Sequence, residues 1–326
     1  MKTGEKFKNV IGKKIITKSF GKYGGIISVV IIMMIITTIF NPIFFTKSNL
    51  LQLLVNNNNI FLAGFGMTFV ILGGGIDLSQ GALAAFSTMI VAMLLKAGFP
   101  VWLSIILTIM IGALVGIING AIVSIAKVHS FVVTLGMTTV LRGLAVAING
   151  GYPVPIDMSS SFIQFGNGST FGIPNAILIC IAALGICYFI LTRTNIGRNV
   201  YAIGGNSESA IFSGISVIKT SLFAFGICSA LTALVGVILA SRMFSGLPSA
   251  AVGLETSAVT AVIIGGTSFT GGDGNVVGTA IGVILLGVLV NAMVMFGLPN
   301  WVQDVISGAI IIVAVIYDKQ RTKKIQ

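Results

Sequence analysis

The sequence predicts an all-α fold: a polytopic bundle of about ten transmembrane helices, with glycine-interrupted segments and with both chain termini in the cytoplasm. The composition, the placement of the basic residues and the spacing of the apolar runs support this prediction. Hydrophobic residues make up 56% of the 326 and charged residues only 8%, whereas soluble domains have roughly 45–50% apolar and about 25% charged residues. A soluble protein of this size would need a charged exterior, so the outer solvent of this chain is lipid.

Basic residues crowd the two ends of the chain. Seven lysines fall within the first 22 residues, and four more basic residues lie between Lys319 and Lys324. Because positive residues beside membrane spans are retained on the cytoplasmic side, we predict a basic cytoplasmic segment over residues 1–22, a membrane domain over 23–317 and a basic cytoplasmic tail over 318–326. The net charge of +11 thus indicates membrane flanks, and we expect no nucleic-acid partner.

Apolar runs give the order of the spans. The first run has no small-residue cleavage site and is long enough to remain as an anchor, so we expect no removable signal peptide. Ten is an even number, as cytoplasmic termini require; counts of eight and eleven stay open because the second, third and eighth runs are short. The candidate spans are 22–40, 60–72, 81–96, 101–125, 131–149, 174–192, 216–240, 252–266, 276–296 and 299–317.

The charges of two loops agree with this order. Alternation from a cytoplasmic start places residues 149–173, which hold no lysine or arginine, outside, and places the loop 193–219, with Arg193, Arg198 and Lys219, inside. Lys96 and Arg242 are exceptions to the rule. The loop 193–219 also predicts a short helix over about residues 208–212, capped by Ser207 and ended by Gly214 in the left-handed conformation.

Single glycines at helical spacing predict close helix packing. Gly112, Gly116 and Gly120 recur every four residues and form one stripe, and Gly278 and Gly282 repeat the pattern. Small residues let membrane helices approach each other closely. We therefore expect these glycines to lie at helix contacts.

Clustered glycines occur in two similar segments. TFVILGGGIDLSQGALAAF, from Thr68, and TAVIIGGTSFTGGDGNVVGTAIGV, from Thr260, each place a glycine break and an aspartate, Asp77 or Asp273, between an apolar approach and a small-residue run. Paired breaks in the two halves of a membrane protein point to a translocation region. The alternatives are plain connecting turns and, for Asp77, a cap on the helix that follows.

Polar residues within or beside the spans outline a candidate substrate pathway, since such groups are costly in lipid and usually face a bundle interior or a watery cavity. For Arg142 we expect a buried partner such as Glu255 or Asp77, or else a side chain that extends to the interface. The candidate pathway residues are Asp77, Ser79, Asn119, Arg142, Asn149, Glu255, Thr267, Ser268 and Asn291.

Several motifs are missing from the sequence. It has one histidine, His129, no H-E-x-x-H and no G-x-x-x-x-G-K-[ST] loop. Its three cysteines lack metal-binding spacing and are expected to be packing residues. We therefore expect no catalytic residues, no metal and no cofactor, and any dependence on ATP would come from a partner.

Five ordered blocks resemble the ribose-type permeases of ATP-binding-cassette importers, over about residues 47–317. The blocks are GGGIDLSQGAL, NGAIVSIAKVHSFVVTLGM, LRGLAVAINGG, NIGRNVYAIGGNSESAIFSGI and VIIGGTSFTGGDGNVVGTAIGVILLGVLVNAM. The resemblance implies a multi-pass subunit of the bacterial cytoplasmic (inner) membrane, in contact with lipid, which takes a monosaccharide from an extracytoplasmic binding protein by alternating access. It also implies a second permease copy, identical or related, and cytosolic ATPase subunits as the source of energy.

The resemblance further assigns a coupling region to the loop 193–219, whose short helix would sit in a groove of the ATPase. The matching positions are Gly197, Arg198, Gly204, Gly205, Asn206, Glu208, Ala210, Ser213 and Gly214. The sugar stays open: ribose, another pentose or hexose, or a furanose. An ion-gradient-driven secondary transporter of a small polar solute is the alternative, because paired broken helices are typical of that class as well.

Overall fold

The structure is a computed structural model that describes residues 23–323. The predicted basic segment 1–22 and the last three residues of the predicted tail lie outside this range. Within it the chain forms fourteen α-helices, a 3-10 helix (Pro42–Phe45) and four two-residue strands. The helices are α1 (Tyr23–Phe40), α2 (Lys47–Asn56), α3 (Asn58–Leu72), α4 (Gln80–Lys96), α5 (Val101–Ile125), α6 (Ser130–Ile148), α7 (Ile163–Asn167), α8 (Asn175–Arg193), α9 (Asn195–Gly205), α10 (Ser207–Phe212), α11 (Val217–Met243), α12 (Leu254–Ile264), α13 (Val276–Met295) and α14 (Asn300–Lys323).

The strands form two short antiparallel ladders. β1 (Val154–Pro155) pairs with β4 (Ser245–Gly246), and β2 (Ser169–Thr170) pairs with β3 (Ile173–Pro174). The first ladder joins two loops that are far apart in the sequence. It therefore ties the end of α6 to the end of α11.

Six of the described helices are long and apolar enough to cross a membrane: α1, α5, α6, α8, α11 and α13. A seventh span results if α2 and α3, which meet at 46°, count as one, while α4 and α12 are shorter apolar helices. The predicted character, a largely helical membrane protein with many spans, is confirmed. Each of the ten predicted runs falls on a helix, but the count of ten spans and the side of the termini stay predictions.

Helix α11 is the central element of the bundle. Of its apolar window 67% is buried, against 22% for α5, and it packs against α3, α4 and α5. The predicted glycine stripe of α5 lies on this contact: a Cβ at Gly116 would strike the Phe225 carbonyl and the Ser229 hydroxyl, and one at Gly112 would strike Ala233. Gly278 likewise abuts Gly265. The packing role predicted for these glycines is confirmed.

Loops gather at two opposite ends of the bundle. One end, called here the break end, comprises residues 73–79, 126–130, 193–219 and 265–275. The other, called the strand end, comprises residues 97–100, 149–174 and 244–253. Antiparallel helices connect the two ends, and a hydrogen bond from the Gly272 amide to the Leu72 carbonyl, 3.0 Å long, joins both glycine breaks at the break end.

Candidate functional site

The first glycine break turns the chain back into the bundle. Helix α3 ends at Leu72, and Gly74 takes the left-handed conformation with φ +83°, which glycine adopts without steric cost. After the turn, Gln80 Nε2 donates to the Ala63 carbonyl at 2.9 Å. Ala63 lies nine residues before the end of α3, which corresponds to about 14 Å of helix. The last part of the segment between α3 and α4, with Asp77 and Ser79, thus lies inside the bundle.

The second glycine break folds on itself at the surface of the break end. Gly266, Gly271 and Gly272 all have positive φ, and the Ser268 amide donates to the Asp273 carbonyl at 2.8 Å. Asn275 fixes the point where the chain leaves the second break and enters α13. Its Oδ1 caps α13 by accepting from the Gly278 amide at 2.9 Å. Its Nδ2 donates to the Tyr23 hydroxyl at 2.6 Å, which attaches the break to the start of α1.

Both breaks meet the loop 193–219 at one point, which we call the glycine junction and define as Leu72, Gly204, Gly205, Gly271 and Gly272. A Cβ at Gly204 would collide with the Leu72 carbonyl and lie 2.6 Å from the Gly272 amide nitrogen; one at Gly272 would lie 2.8 Å from the Gly205 Cα. Only glycine permits backbones to approach so closely. A displacement of α9 therefore acts directly on the end of α3 and on the second break.

A tyrosine adds a side-chain connection beside the glycine junction. The Tyr201 hydroxyl, on α9, donates to the Gly274 carbonyl at 2.8 Å. Burial of the ring raises the pKa of Tyr201 to about 12, and the nearby Tyr23 and Asp273 add to the increase. The phenol is consequently held as a hydrogen-bond donor at physiological pH.

The predicted short helix of the loop 193–219 is present as α10, with a different cap. Asn206, not Ser207, caps it: Asn206 Oδ1 accepts from the Ser209 amide at 2.9 Å. Asn is as good a cap as Ser, and the backbone of Asn206 is extended as a cap requires. Gly214 ends the turn with φ +79° as predicted. The preceding eleven-residue helix α9 was not predicted; its N-cap is Thr194, which accepts from the Gly197 amide at 3.2 Å.

The remaining positions of the predicted coupling region divide between a buried and an exposed face. Gly197 packs on the backbone of α8, and Ala210 is buried. Glu208 stands in the first turn of α10, where a negative charge is favourable, and the Arg198 guanidinium donates to Asn195. On the outer face Phe212 is 92% exposed.

A cavity of about 720 Å³ lies between α10, the first break and the turn from α5 to α6. Its wall is mainly apolar, and it includes the basic residue Lys127 and the predicted loop histidine. The residues that line it include Gly73, Gly74, Lys127, His129, Ser207 and Ile211. It lies between one side of α10 and the helices α3, α5 and α11.

Four of the predicted pathway residues are completely enclosed: Asp77, Ser79, Asn119 and Thr267 are each 0% exposed. Asp77 Oδ1 accepts from the Ser79 amide at 2.9 Å and from its hydroxyl at 2.5 Å. Asn119 Nδ2 donates to the same hydroxyl at 3.2 Å. Asp77 therefore organises the turn before α4, which begins at Gln80, rather than capping the helix itself.

Arg142, on α6, reaches backbone groups at the strand end. Its Nη1 donates to the carbonyls of Pro248 at 3.1 Å and Ala250 at 2.9 Å, while the charge of Glu255 also acts on the guanidinium. Glu255 Oε2 is buried without a hydrogen-bond partner among the described residues. Backbone carbonyls thus hold the guanidinium in place, with Glu255 as an electrostatic neighbour.

A second cavity, of about 420 Å³, opens beside Arg142. Asn149 lies near this opening, with Nδ2 donating to the Tyr152 and Pro153 carbonyls at 3.1 and 3.3 Å. The last two predicted pathway residues lie elsewhere. Asn291 exchanges two 3.1 Å hydrogen bonds with Asn49, and the Ser268 hydroxyl pairs with Thr270.

Further polar residues, absent from the sequence prediction, complete the enclosed group around Asp77. Gln80 Nε2 also lies 3.2 Å from Cys228 Sγ and 3.2 Å from Thr232 Oγ1, and Ser229 is fully buried beside Gly116. The spacing of Cys228, Ser229 and Thr232 on one face of α11 was the signal that could have found them.

Comparison with known proteins assigns the family. Residues 49–315 match the model of a family described as the permease component of a branched-chain amino acid transport system. The chain belongs to this family. The permease is 39% identical to the ribose import permease of Haemophilus influenzae (87% of this chain, 90% of the relative). It is 40% identical to that of Bacillus subtilis (86% and 88%) and 36% identical to the D-allose transport system permease of Escherichia coli (93% and 93%).

No solved structure is significantly similar to this chain. Membership of a transport family, together with the apolar helices, makes this permease a multi-pass protein of the bacterial cytoplasmic (inner) membrane. The family is one of transport subunits, not of enzymes.

Proposed function

We propose that this permease is the membrane-spanning subunit of an ATP-driven importer that translocates a monosaccharide, ribose or a related sugar such as allose. The support comes from relatives named as ribose and allose permeases, which align with at least 86% of this chain and at least 88% of their own length. Because the alignments extend over nearly whole chains, the similarity does not come from a single shared segment.

The glycine junction is the single structural observation on which the proposed mechanism rests. Cytosolic ATPase subunits would bind the exposed face of α10, which carries Ile211 and Phe212. Closure of the ATPases on ATP would displace α9 and α10, and the backbone contacts of Gly204 would pass the displacement to Leu72 and Gly272. The helices after the two breaks would then open one end of the bundle and close the other, as alternating access requires.

In this proposal the break end faces the cytoplasm and the chain has ten spans, with one glycine break between the second and third spans and the other between the eighth and ninth. Lys127, Arg193, Arg198 and Lys219 all belong to the break end, in agreement with the retention of positive residues inside. The strand end then faces the extracytoplasmic binding protein. A second permease copy, identical or related, would complete the path for the sugar.

The predicted pathway residues take two roles in the proposal. Arg142 would line the outer opening, where the smaller cavity lies, with Asn149 and Glu255 beside it. Asp77, Ser79, Asn119 and Thr267 would support the gate from within the bundle, since none of them is exposed. Ser268 would contribute to the gate at the second break, and Asn291 would hold α13 against α2 through Asn49.

Reconstitution in proteoliposomes tests the proposal. The permease is assembled with an ATPase subunit and a sugar-binding protein of the same organism, and uptake of labelled ribose, allose and arabinose is measured with ATP enclosed. We expect uptake only when both partners and ATP are present. Uptake by the permease alone under an imposed sodium or proton gradient would contradict the proposal and support the ion-driven alternative.

A further inference from the structure

The enclosed polar group around Asp77 contains oxygens without partners. Among the described residues, no hydrogen bond reaches Asp77 Oδ2, Gln80 Oε1, Asn119 Oδ1 or Ser229 Oγ. All four residues are 0% exposed. An unpaired buried polar atom is costly, so four such atoms in neighbouring residues call for a ligand.

The four residues come from one turn and three helices. The turn before α4 supplies Asp77, Gln80 is the first residue of α4, α5 supplies Asn119, and α11 supplies Ser229. The Ser79 hydroxyl bridges Asp77 and Asn119. The Cys228 thiol and the Ser229 hydroxyl, both on α11, also interact with the Asp77 carboxyl. The Ser79 hydroxyl and the Asp77 carboxyl thus connect the group.

The chemistry of the free atoms indicates the kind of ligand. Asp77 Oδ2, Gln80 Oε1 and Asn119 Oδ1 can only accept, since the amide nitrogens of Gln80 and Asn119 are already used as donors. The charge of Asp77 is buried, and the structure gives it no basic side chain as a hydrogen-bond partner among the described residues. A buried charge requires a counter-charge. Carboxylate, amide and hydroxyl oxygens are the ligands of hard cations.

We propose that Asp77, Gln80, Asn119 and Ser229 form an occluded site for one alkali metal cation, sodium or potassium. A single positive charge balances the single carboxylate, whereas a divalent cation would leave an excess charge in the bundle. A proton on Asp77 would satisfy only one of the free acceptors. A water molecule would donate twice but would leave the carboxylate without a counter-charge.

The site gives the cation a structural task that the proposed transport function does not include. It fastens the start of α4 to α5 and α11 at the point where the chain re-enters the bundle after the first break. Without the cation, the carboxylate and the amide oxygens repel each other across this contact. The bound ion therefore stabilises the folded permease, and it is held whether or not ATP is hydrolysed.

Thermal unfolding of the full permease in lipid nanodiscs tests the site. The midpoint is measured by tryptophan fluorescence in sodium, potassium and N-methyl-D-glucamine chloride at equal ionic strength, since the organic cation is too large to enter. We expect sodium or potassium to raise Tm by roughly 3 °C or more over the organic cation. Binding of radioactive sodium, displaced by potassium if potassium is preferred, should reach one ion per chain.

Two variants test whether the ion binds at this group. Asp77→Asn keeps an oxygen for the Ser79 hydrogen bonds but removes the charge, and it should abolish both the shift of Tm and the binding of sodium. Asn119→Ala is the second variant, for the case that the first does not fold. Asp157→Asn, at an exposed aspartate of the strand end, is the charge-matched control and should keep the full response. Asn49→Ala is the matched control for the amide and should lower Tm equally in all salts.

Equal Tm in all three salts, or a sodium response that survives in Asp77→Asn, would overturn the site. A Tm that rises with falling pH but ignores the metal ions would also overturn it, in favour of a proton on Asp77. These outcomes are separate from the test of the transport proposal. That proposal depends on whether ATP and partner proteins are needed for uptake, which a structural cation leaves unchanged.

Discussion

The two glycine breaks have similar sequences and different surroundings. Both follow a short apolar helix, both carry an aspartate, and both reach the glycine junction. Yet Asp77 is 0% exposed and its turn lies between α5 and α11, whereas Asp273 is exposed on a loop of the break end. The first break therefore reaches into the bundle interior, whereas the second break lies at the surface of the break end.

The difference arises from the residues on the C-terminal side of each break. After the first, Gln80 bonds to the Ala63 carbonyl deep in α3 and draws the chain inward. After the second, Asn275 bonds to Tyr23 and starts α13 near the surface of the break end. A repeated sequence pattern thus specifies the turn itself, while the neighbours decide how deep the turn lies. Four predictions test this difference.

The largest effect is expected at Gly204. Its replacement by alanine would push a Cβ into the Leu72 carbonyl and the Gly272 amide, and backbone on both sides cannot yield as a side chain can. Strain from overpacking costs typically about 1–3 kcal/mol. We expect ATP-driven uptake to fall by more than about tenfold while the ATPase subunits still hydrolyse ATP.

The adjacent Gly205 is the matched control for Gly204. A Cβ built on Gly205 meets nothing within 4 Å, so Gly205→Ala should keep normal uptake. Equal uptake by the Gly204 and Gly205 variants, measured per assembled complex, would show that the glycine junction does not transmit the movement.

The next effect separates the two aspartates. Asp77→Asn leaves the turn intact, because the amide oxygen still accepts from Ser79, but it removes the buried charge. We expect uptake to fall about tenfold or more, since the start of α4 loses the charged group that holds it to α5 and α11. Asp273→Asn changes an exposed residue and should transport within a factor of about two of the unaltered protein, as surface substitutions usually have small effects. Comparable losses in both variants would mean that the two breaks act as equivalents.

A smaller effect is expected at the contact of α5 with α11. Gly116→Ala would press on the Phe225 carbonyl and the Ser229 hydroxyl and should lower the free energy of unfolding by about 1–3 kcal/mol. Gly185→Ala, on α8, meets nothing within 4 Å and serves as the control. If thermal unfolding shows the same midpoint for both variants, α5 can move away from α11 without cost.

Periodicity and composition predicted the helices well. Every predicted apolar run falls on a helix, and α5 has the predicted bounds of residues 101–125, because a continuous apolar run between turn residues leaves few alternatives in lipid. Helices α2, α7 and α9 were not predicted. They are amphipathic or short, and α9 contains three glycines, so local propensity does not reveal them and tertiary packing decides.

The candidate site was predicted only in part. Asp77, Ser79 and Asn119 were named from the sequence, and the structure brings them together. Their enclosure was not predicted, because hydropathy shows that a residue lies among apolar neighbours but not whether it faces a path. For Arg142 we expected a carboxylate partner, but its hydrogen bonds go to the Pro248 and Ala250 carbonyls. Every residue has a backbone carbonyl, so the sequence does not show which carbonyls will accept.

The smallest effect concerns Tyr201. Tyr201→Phe removes the hydrogen bond to the Gly274 carbonyl and should cost about 0.5–1.5 kcal/mol of stability. Because burial raises the pKa of this phenol from 10 to about 12, the folded protein keeps the proton that the unfolded chain loses. The contribution is complete below about pH 10 and is lost as the pH rises to about 12. A spectroscopic phenolate titration should lose one group near pH 12 in Tyr201→Phe. Loss of a group that titrates near pH 10 instead would mean that the Tyr201 ring lies in water and that no buried hydrogen bond joins α9 to the second break.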